Sequence, residues 1–264
     1  MKNKNIKKAI ITGIIMTATG SLVYKLINKD KLIKDNITNI EDYEFKIIDD
    51  KYIDKLEVCS YIHKDDEKYS FRVLLKSLKG KIAITKYNGD ETHVVIPKYI
   101  CGKEVVVIGS GAFYNKGLSS VKIPNSVSFI GYKSFAFNNL KYIDIPNSVI
   151  KIYKEAFSFN KLQNVYIPSS VKYLSGFNNN SISLLSISDS VDYIGEDAFL
   201  GNKLTQILLP KNIKDIGHHA FAINELKLIV MPKKFDNNRD NIFACYSERD
   251  SAYAFPHDVV LNLI

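Results

Sequence analysis

The chain has 264 residues, of which 46% are hydrophobic and 24% are charged, and this is the balance of an ordinary globular protein. Its formal net charge is +8, but residues 1–35 hold eight lysines and two aspartates and therefore carry +6 of that charge. The rest of the chain has only a small basic surplus. Since a nucleic-acid-binding domain needs a basic face, the charge distribution excludes nucleic acid as the main partner.

The amino terminus has the form of an export signal. Lysines precede an uncharged run from Ala9 to Tyr24, and a positive start followed by an apolar stretch is typical of such signals. The run is longer than most signal-peptide cores and shorter than a full membrane span. Residues 1–24 are expected to be a signal-anchor helix, because no polar, Pro-containing stretch marks a cleavage site. The alternative is a signal peptide cleaved near Gly20.

These two alternatives predict two locations. An uncleaved anchor, with Lys25 at the membrane surface, places the protein in the cell envelope with the following domain outside. Cleavage near Gly20 predicts a secreted protein instead.

Two segments separate this terminus from the main domain. Residues 25–41 are rich in lysine and predict a basic linker. Residues 42–81 contain the stretches EFKIID, KLEVCSYI and YSFRVLLKSL, in which apolar and polar residues alternate as they do in strands. The alternation predicts a small, β-rich N-terminal cap.

Residues 82–232 form an array of repeats of about 22 residues. A phenylalanine recurs every 22 residues, with one step of 20, at Phe113, Phe135, Phe157, Phe177, Phe199 and Phe221. Columns of Leu, Ile and Val come into register with it. A single unit cannot bury its apolar side alone, so the units are expected to stack and to merge these columns into one core.

Two further columns show how each unit is built. Proline takes one position at Pro97, Pro124, Pro146, Pro168, Pro210 and Pro232. Because proline cannot lie inside a central strand, it is expected to end each strand at the same height. Asparagine takes another position at Asn138, Asn160, Asn180, Asn202 and Asn224. An inward-facing amide can satisfy main-chain groups of adjacent turns.

The array predicts an α/β solenoid with a parallel β-sheet on its concave face and short helical or irregular return segments. Its unit at 174–180, LSGFNNN, lacks two residues and predicts a local kink or flattened coil. After residue 232 the pattern decays, so residues 233–264 are expected to cap the open end.

The repeats VYIPSSVKYL, LSISDSVDYIGEDAF and ILLPKNIKDIGHHAF resemble the BspA-like class of bacterial leucine-rich repeat. Residues 82–113 also resemble the longer first unit of such arrays. The resemblance implies a leucine-rich-repeat solenoid. It further implies an exported, surface-attached protein of the kind described as an adhesin or a protein-binding module.

The strand residues that point away from the core are the candidate binding residues. They become apolar in the carboxy-terminal half of the array, at Tyr142, Tyr166, Leu184, Leu208, Leu228 and Val230. A patch of this kind indicates a contact surface for a protein or peptide partner. The alternatives are that the C-terminal cap covers part of it or that the residues are scattered, which would suit a non-binding envelope scaffold.

No residue pattern points to catalysis, a cofactor or a metal. The chain contains no HExxH, GxSxG or phosphate-binding GxxxxGK motif. His218 and His219 fall where other units carry Glu196 and Asp197, so they are expected to be solvated, variable residues. The chain is therefore not expected to be an enzyme.

The three cysteines, Cys59, Cys101 and Cys245, lie far apart and form no CxxC pair, which argues against a zinc site or a redox motif. Idle or buried thiols are the favoured interpretation. A single disulfide remains open if the chain is exported.

Overall fold

The computed structural model describes residues 14–16, 22–24, 40–58, 73–246, 253–254 and 259–264. Within them the repeats wind into stacked coils whose strands pair in parallel, and the predicted solenoid is confirmed. Most coils carry two strands, which belong to different sheets.

The first strand of each coil belongs to a face that we call the short-strand face. Parallel pairs join β5 to β8, β11 to β13, and β15 to β17 and β20, and a single bridge joins Tyr142 to Asn164. The strands are β5 (His93–Val95), β8 (Ser120–Lys122), β11 (Asn164–Ile167), β13 (Leu184–Ile187), β15 (Gln206–Leu208), β17 (Leu228–Met231) and β20 (Val260–Leu263).

The second strand of each coil belongs to a long sheet that the sequence did not predict. Here β1 to β4 pair antiparallel in chain order, and β4, β7, β9, β10, β12, β14 and β16 follow in parallel. The strands are β1 (Ile14–Met16), β2 (Leu22–Tyr24), β3 (Tyr43–Ile47), β4 (Ile82–Tyr87), β7 (Lys103–Ile108), β9 (Phe129–Ile130), β10 (Lys151–Ile152), β12 (Tyr173–Leu174), β14 (Tyr193–Ile194) and β16 (Asp215–Ile216). Two short hairpin partners complete the set, β6 (Tyr99–Ile100) against β7, and β18 (Cys245–Tyr246) against β19 (Tyr253–Ala254).

The core of the solenoid is a ladder of stacked phenylalanines. The rings of the six repeat phenylalanines are fully buried, and successive ring centroids lie 5.0–5.5 Å apart. Tyr87 extends the ladder at the amino-terminal end, with its ring 5.3 Å from that of Phe113. The ladder gives every coil the same spacing and buries an aromatic ring in each.

The predicted role of the asparagine column is confirmed. In the coil that ends at Asn202, Oδ1 accepts from the Ile182 amide at 3.1 Å. Nδ2 donates to the carbonyls of Phe177 and Phe199, each at 3.0 Å. One side chain thus satisfies three main-chain groups at a corner where the backbone cannot pair them itself.

Two columns of left-handed residues shape the turn around each core phenylalanine. The residue two positions before it has positive φ at Gly111, Lys133, Glu155, Asp197 and His219. The residue two positions after it has positive φ at Asn115, Phe137, Phe159, Asn179, Gly201 and Ile223. Glycine and asparagine suit this conformation, whereas phenylalanine and isoleucine are strained in it.

The N-terminal cap contains less strand than predicted. EFKIID does contribute β3, but KLEVCSYI begins inside helix α1 (Asp50–Val58), and residues 73–76 of YSFRVLLKSL form a helical turn. The strand prediction for these two stretches is wrong where they are described, and residues 59–72 lie outside the described residues. Asp49 explains the helix, because its carboxylate accepts the Tyr52 amide at 2.8 Å as an N-terminal cap.

This helix lies on the long sheet. Ile53 of α1 and Leu75 and Leu78 of the following turn pack in one buried cluster with Val107 and Phe129 of the sheet. The cap therefore covers the outer face of the long sheet at its amino-terminal end.

The amino-terminal run differs from the predicted helix where it is described. Ile14–Met16 and Leu22–Tyr24 are strands that pair antiparallel. Short apolar runs rich in isoleucine and valine suit a strand as well as a helix, so their composition does not decide between the two. The rest of residues 1–24, and residues 25–39 of the predicted linker, lie outside the described residues. Every helix within the described ranges is too short or too polar to cross a membrane.

The stack of coils continues past residue 232. Residues Lys233–Asn238 form a 3-10 helix and Arg239–Phe243 form helix α2. The ring of Phe243 lies 5.6 Å from that of Phe221, 22 residues earlier, and is fully buried. The Phe221 amide donates to the Ile242 carbonyl at 3.0 Å, as the other coils do to their successors. Residues 233–243 therefore follow the path of a further coil beyond the predicted boundary.

Candidate binding face

Four of the six candidate residues are strongly exposed on the short-strand face. The exposed fraction is 68% for Tyr142, 66% for Tyr166, 59% for Leu184 and 65% for Leu208. Leu228 and Val230 are only half-buried, on the strand that β20 flanks. The structure thus presents four free apolar side chains and two partly covered ones.

The apolar residues of this face form a zigzag. In register, Asn164 lies beside Leu184, and Tyr166 beside Ser186. Tyr166 and Leu184 are therefore diagonal neighbours, because they lie on adjacent strands and are offset by two positions. The same relation holds between Leu208 and Leu228, because Gln206 lies beside Leu228.

From Tyr142 to Leu208, polar side chains fill the other positions of the zigzag. Asp144 is two positions from Tyr142, Ser186 is two from Leu184, and Gln206 is two from Leu208; all are exposed. Each exposed apolar side chain thus has a hydrogen-bonding group beside it on the same or the next strand. A surface that mixes apolar and polar side chains can bind an extended chain by apolar packing and by hydrogen bonds at once.

A second concavity lies on the long sheet, and the sequence analysis missed it. A groove of about 390 Å³ opens where the shortened repeat lacks two turn residues. Its lining includes Lys151, Tyr153, Tyr173, Ser175, Tyr193 and Glu196. The deletion at 174–180 was the signal that could have located it, since a missing turn leaves space between the coils on either side.

An ion pair spans this gap. Lys154 Nζ lies 2.9 Å from Glu196 Oε2 and 3.2 Å from Asp197 Oδ2, two coils away. Partial burial alone lowers the pKa of Lys154, but the hydrogen bonds to both carboxylates outweigh burial and raise it. The hydrogen bond from Lys154 lowers the pKa of Glu196. The sequence predicted a kink or flattened coil at this place, and the structure shows a depression that this ion pair crosses.

Tyrosines form the floor of the groove. The rings of Tyr173 and Tyr193 stack at 5.1 Å with an angle of 3° between their planes. Lys151 Nζ lies 4.6 Å from the ring centre of Tyr153 and 4.8 Å from that of Tyr173. The Tyr173 ring is thus held by both Tyr193 and Lys151 within the protein.

The histidines and cysteines of the described ranges build no metal-binding cluster. His218 and His219 lie side by side, with ring centres 3.7 Å apart, and no group of three or more His, Cys, Asp or Glu residues able to hold a metal occurs within the described ranges. Cys101 is a free thiol whose pKa burial raises to about 11, so it is mainly protonated near neutral pH. Cys59 lies outside the described residues.

Comparison with solved structures finds other leucine-rich repeat proteins. A leucine-rich cell surface protein of Faecalibacterium prausnitzii is 26% identical over 73% of this chain and 53% of its own, with a TM-score of 0.44. A leucine-rich repeat protein of Bacteroides ovatus is 18% identical over 69% and 63%, with a TM-score of 0.42. The T. pallidum leucine-rich repeat protein is 19% identical over 69% and 93%, with a TM-score of 0.39. The chain spans less than two thirds of the first two proteins.

No curated protein matches the chain. The family model described as the BspA-type leucine-rich repeat region matches in six copies, over residues 92–177 and 175–254. The match covers more than half of the chain and includes the coil that follows residue 232. This protein belongs to the BspA-type leucine-rich repeat family.

Proposed function

We propose that this protein is a non-catalytic recognition module that binds an extended segment of a protein partner on its short-strand face. The observation that carries the proposal is the zigzag of exposed apolar side chains from Tyr142 to Leu208. A buried column needs apolar residues, but an outward column does not, and exposed rows of this kind mark contact surfaces.

The dimensions of the face suit an extended ligand. Parallel strands lie about 4.8 Å apart, so the part from Tyr142 to β17 is about 20 Å long. That length corresponds to about six residues of an extended chain. The alternating polar side chains, such as Asn164 and Gln206, would fix its register through hydrogen bonds.

We further propose that the protein acts outside the cell membrane, tethered by residues 1–24 or released by cleavage near Gly20. The support is the basic start and apolar run of the amino terminus. Intact-mass measurement of the mature chain tests the choice, because a chain that begins after residue 20 has lost the tether.

The binding proposal is tested by substituting Tyr166→Lys and Leu208→Lys together. Both side chains are exposed, so the fold should keep its melting temperature while affinity capture from intact cells or host extracts loses a specific partner. Tyr99→Lys is the matched control, because Tyr99 is 53% exposed and lies on the β6 hairpin, away from this face.

Two outcomes would count against the proposal. A partner captured equally by the double variant would mean that another surface binds it. A wild-type protein that captures no partner above the level of the double variant would favour a structural scaffold.

A further inference from the structure

A second surface lies on the turns that follow the core phenylalanines. At the left-handed position of these turns, the chain uses Asn115, Asn179 and Gly201, which suit that conformation. At the same position it also has Phe137, with a φ of 58°, and Phe159, with a φ of 54°. Bulky residues in this region are strained, and Ile223 has the same conformation at the same position, with a φ of 53°.

The two phenylalanines are exposed as well as strained. Phe137 is 40% exposed and Phe159 is 43% exposed, and their rings stack at 4.4 Å. Tyr114, 44% exposed, adds a third ring 5.4 Å from that of Phe137. We call the edge formed by these three rings the aromatic edge.

The three segments that carry these rings are basic. The segments 114–120, 136–142 and 158–164 contain Lys116, Lys141 and Lys161 and neither aspartate nor glutamate. Lys141 and Lys161 are exposed, and Lys116 is half-buried. On the opposite turns, by contrast, lysines pair with carboxylates, as Lys133 does with Glu155 at 3.2 Å.

We propose that the aromatic edge docks on an anionic lipid bilayer. Aromatic rings prefer the boundary between headgroups and acyl chains, and lysines beside them are attracted to anionic headgroups. The edge offers both groups on successive coils, and the nearest exposed carboxylates, Asp90 and Glu91, lie on the coil before Tyr114. The three rings lie on the turns and not on the short-strand face, so the inference does not depend on the proposed function.

Fluorescence can test the contact directly, because the chain has no tryptophan. Phe159→Trp in the full-length protein puts a single indole on the edge. With phosphatidylglycerol vesicles its emission should shift to the blue, and brominated lipids should quench it. Tyr99→Trp, at a comparably exposed aromatic position elsewhere, should show neither effect. An indole at residue 159 that stays in water while the protein is vesicle-bound would overturn the proposal.

Vesicle-binding measurements on full-length variants separate the contribution of the aromatic rings from that of the lysines. Phe137→Asn with Phe159→Asn uses the residue found at the equivalent positions of other coils, so it should fold and still bind vesicles more weakly. Since each ring is already more than half buried in the protein, the bilayer can bury only the exposed remainder. The expected loss of vesicle affinity is therefore about fivefold per ring. Lys116→Ala, Lys141→Ala and Lys161→Ala should each cost about fivefold on anionic vesicles.

All these variants keep residues 1–24 unchanged, so vesicle binding through that segment is common to them. Binding that is equal on phosphatidylcholine and phosphatidylglycerol vesicles and unaffected by the lysine substitutions would contradict the proposal. A purified protein partner that loses affinity for the asparagine variant, while vesicle binding stays intact, would show that the edge contacts a protein instead.

Discussion

The side-chain amide of Asn160 donates to the main-chain carbonyl of Phe135, 25 residues earlier, at 2.9 Å. It also donates to the Phe157 carbonyl at 3.0 Å, while its Oδ1 accepts from the Leu140 amide at 3.0 Å. Asn160→Ala leaves these buried groups without partners and should lower the free energy of unfolding by about 2–4 kcal/mol. Urea denaturation would measure it.

Asn139, an asparagine outside this column, provides the control. It is exposed, so Asn139→Ala should change the free energy of unfolding by no more than about 0.5 kcal/mol. Equal effects of the two substitutions would mean that the asparagine column does not hold the coils together.

Phe243 tests whether the solenoid extends past residue 232. Its ring stacks on Phe221 and is fully buried, so Phe243→Ala should destabilise the protein by about 3–5 kcal/mol and lower one shared thermal transition. Phe157→Ala, in the middle of the ladder, gives the reference value. A separate low-temperature transition in the Phe243 variant would identify residues 233–243 as an independent cap.

Gly176 is the residue on which the shortened coil depends. Its φ is +91°, and an added Cβ would lie 2.4 Å from the Tyr153 carbonyl oxygen and 2.6 Å from the Ala156 nitrogen. Gly176→Ala should therefore cost more than about 3 kcal/mol of unfolding free energy.

Gly80 separates the two causes of that loss. It has a φ of +82° with nothing within 4 Å of the added Cβ, so Gly80→Ala should cost only the backbone strain, about 1 kcal/mol. Similar losses at both glycines would show that the close contact at Gly176 is relieved by movement of the neighbouring coil.

Ile223 offers a route to a more stable protein. It is β-branched, 54% exposed and left-handed, with a φ of 53°. Ile223→Asn should raise the free energy of unfolding by about 0.5–1 kcal/mol, because asparagine tolerates this conformation. Ile223→Val keeps the branched side chain and should bring no gain. A destabilised asparagine variant would mean that Ile223 packs usefully where it lies.

The ion pair between Lys154 and Glu196 makes a small, pH-dependent contribution to stability. Since the pKa of Glu196 is lowered in the folded protein, the contribution is present above the usual carboxyl value of 4.5 and is lost as the pH falls through the lower folded pKa. Both side chains are about half exposed, so Lys154→Met should cost less than about 1 kcal/mol at pH 7.

Thermal melting of the wild type and the Lys154→Met variant over a pH series would check this. Their difference should shrink on acidification below pH 4.5. Lys161→Met should show no such trend, because Lys161 is exposed and makes no ion pair with a described residue. A difference that stays constant through the acid range would exclude the carboxylate as the partner that matters.

The sequence predicted the parts of the fold that recur. The phenylalanine and asparagine columns are visible because each coil needs the same ring and the same amide, and the exposure of Tyr166 and Leu208 followed from strand alternation. The long sheet was missed because its strands have two residues in most coils, of which one, such as Ile152 or Ile194, faces the core. So short a segment cannot show alternation.

Other features depended on single residues rather than on repetition. The cap helix follows from the side-chain bond of Asp49, which a pattern of apolar residues does not reveal. The groove arises where one coil lacks two residues. Its shape could not be predicted without knowing that Lys154 reaches across to Glu196. The coil at 233–243 was missed because Phe243 keeps the 22-residue spacing while the residues around it lose the other columns.

In-register stacking also bears on how such a protein can change length during evolution. Most coils meet their neighbours through the same main-chain atoms, so duplicating or losing one whole coil leaves both remaining surfaces matched. Recombination could thus lengthen the short-strand face in steps of about 4.8 Å. The shortened coil is the exception. Removing it would change the spacing at which Lys154 reaches Glu196. This coil is therefore not interchangeable with the others.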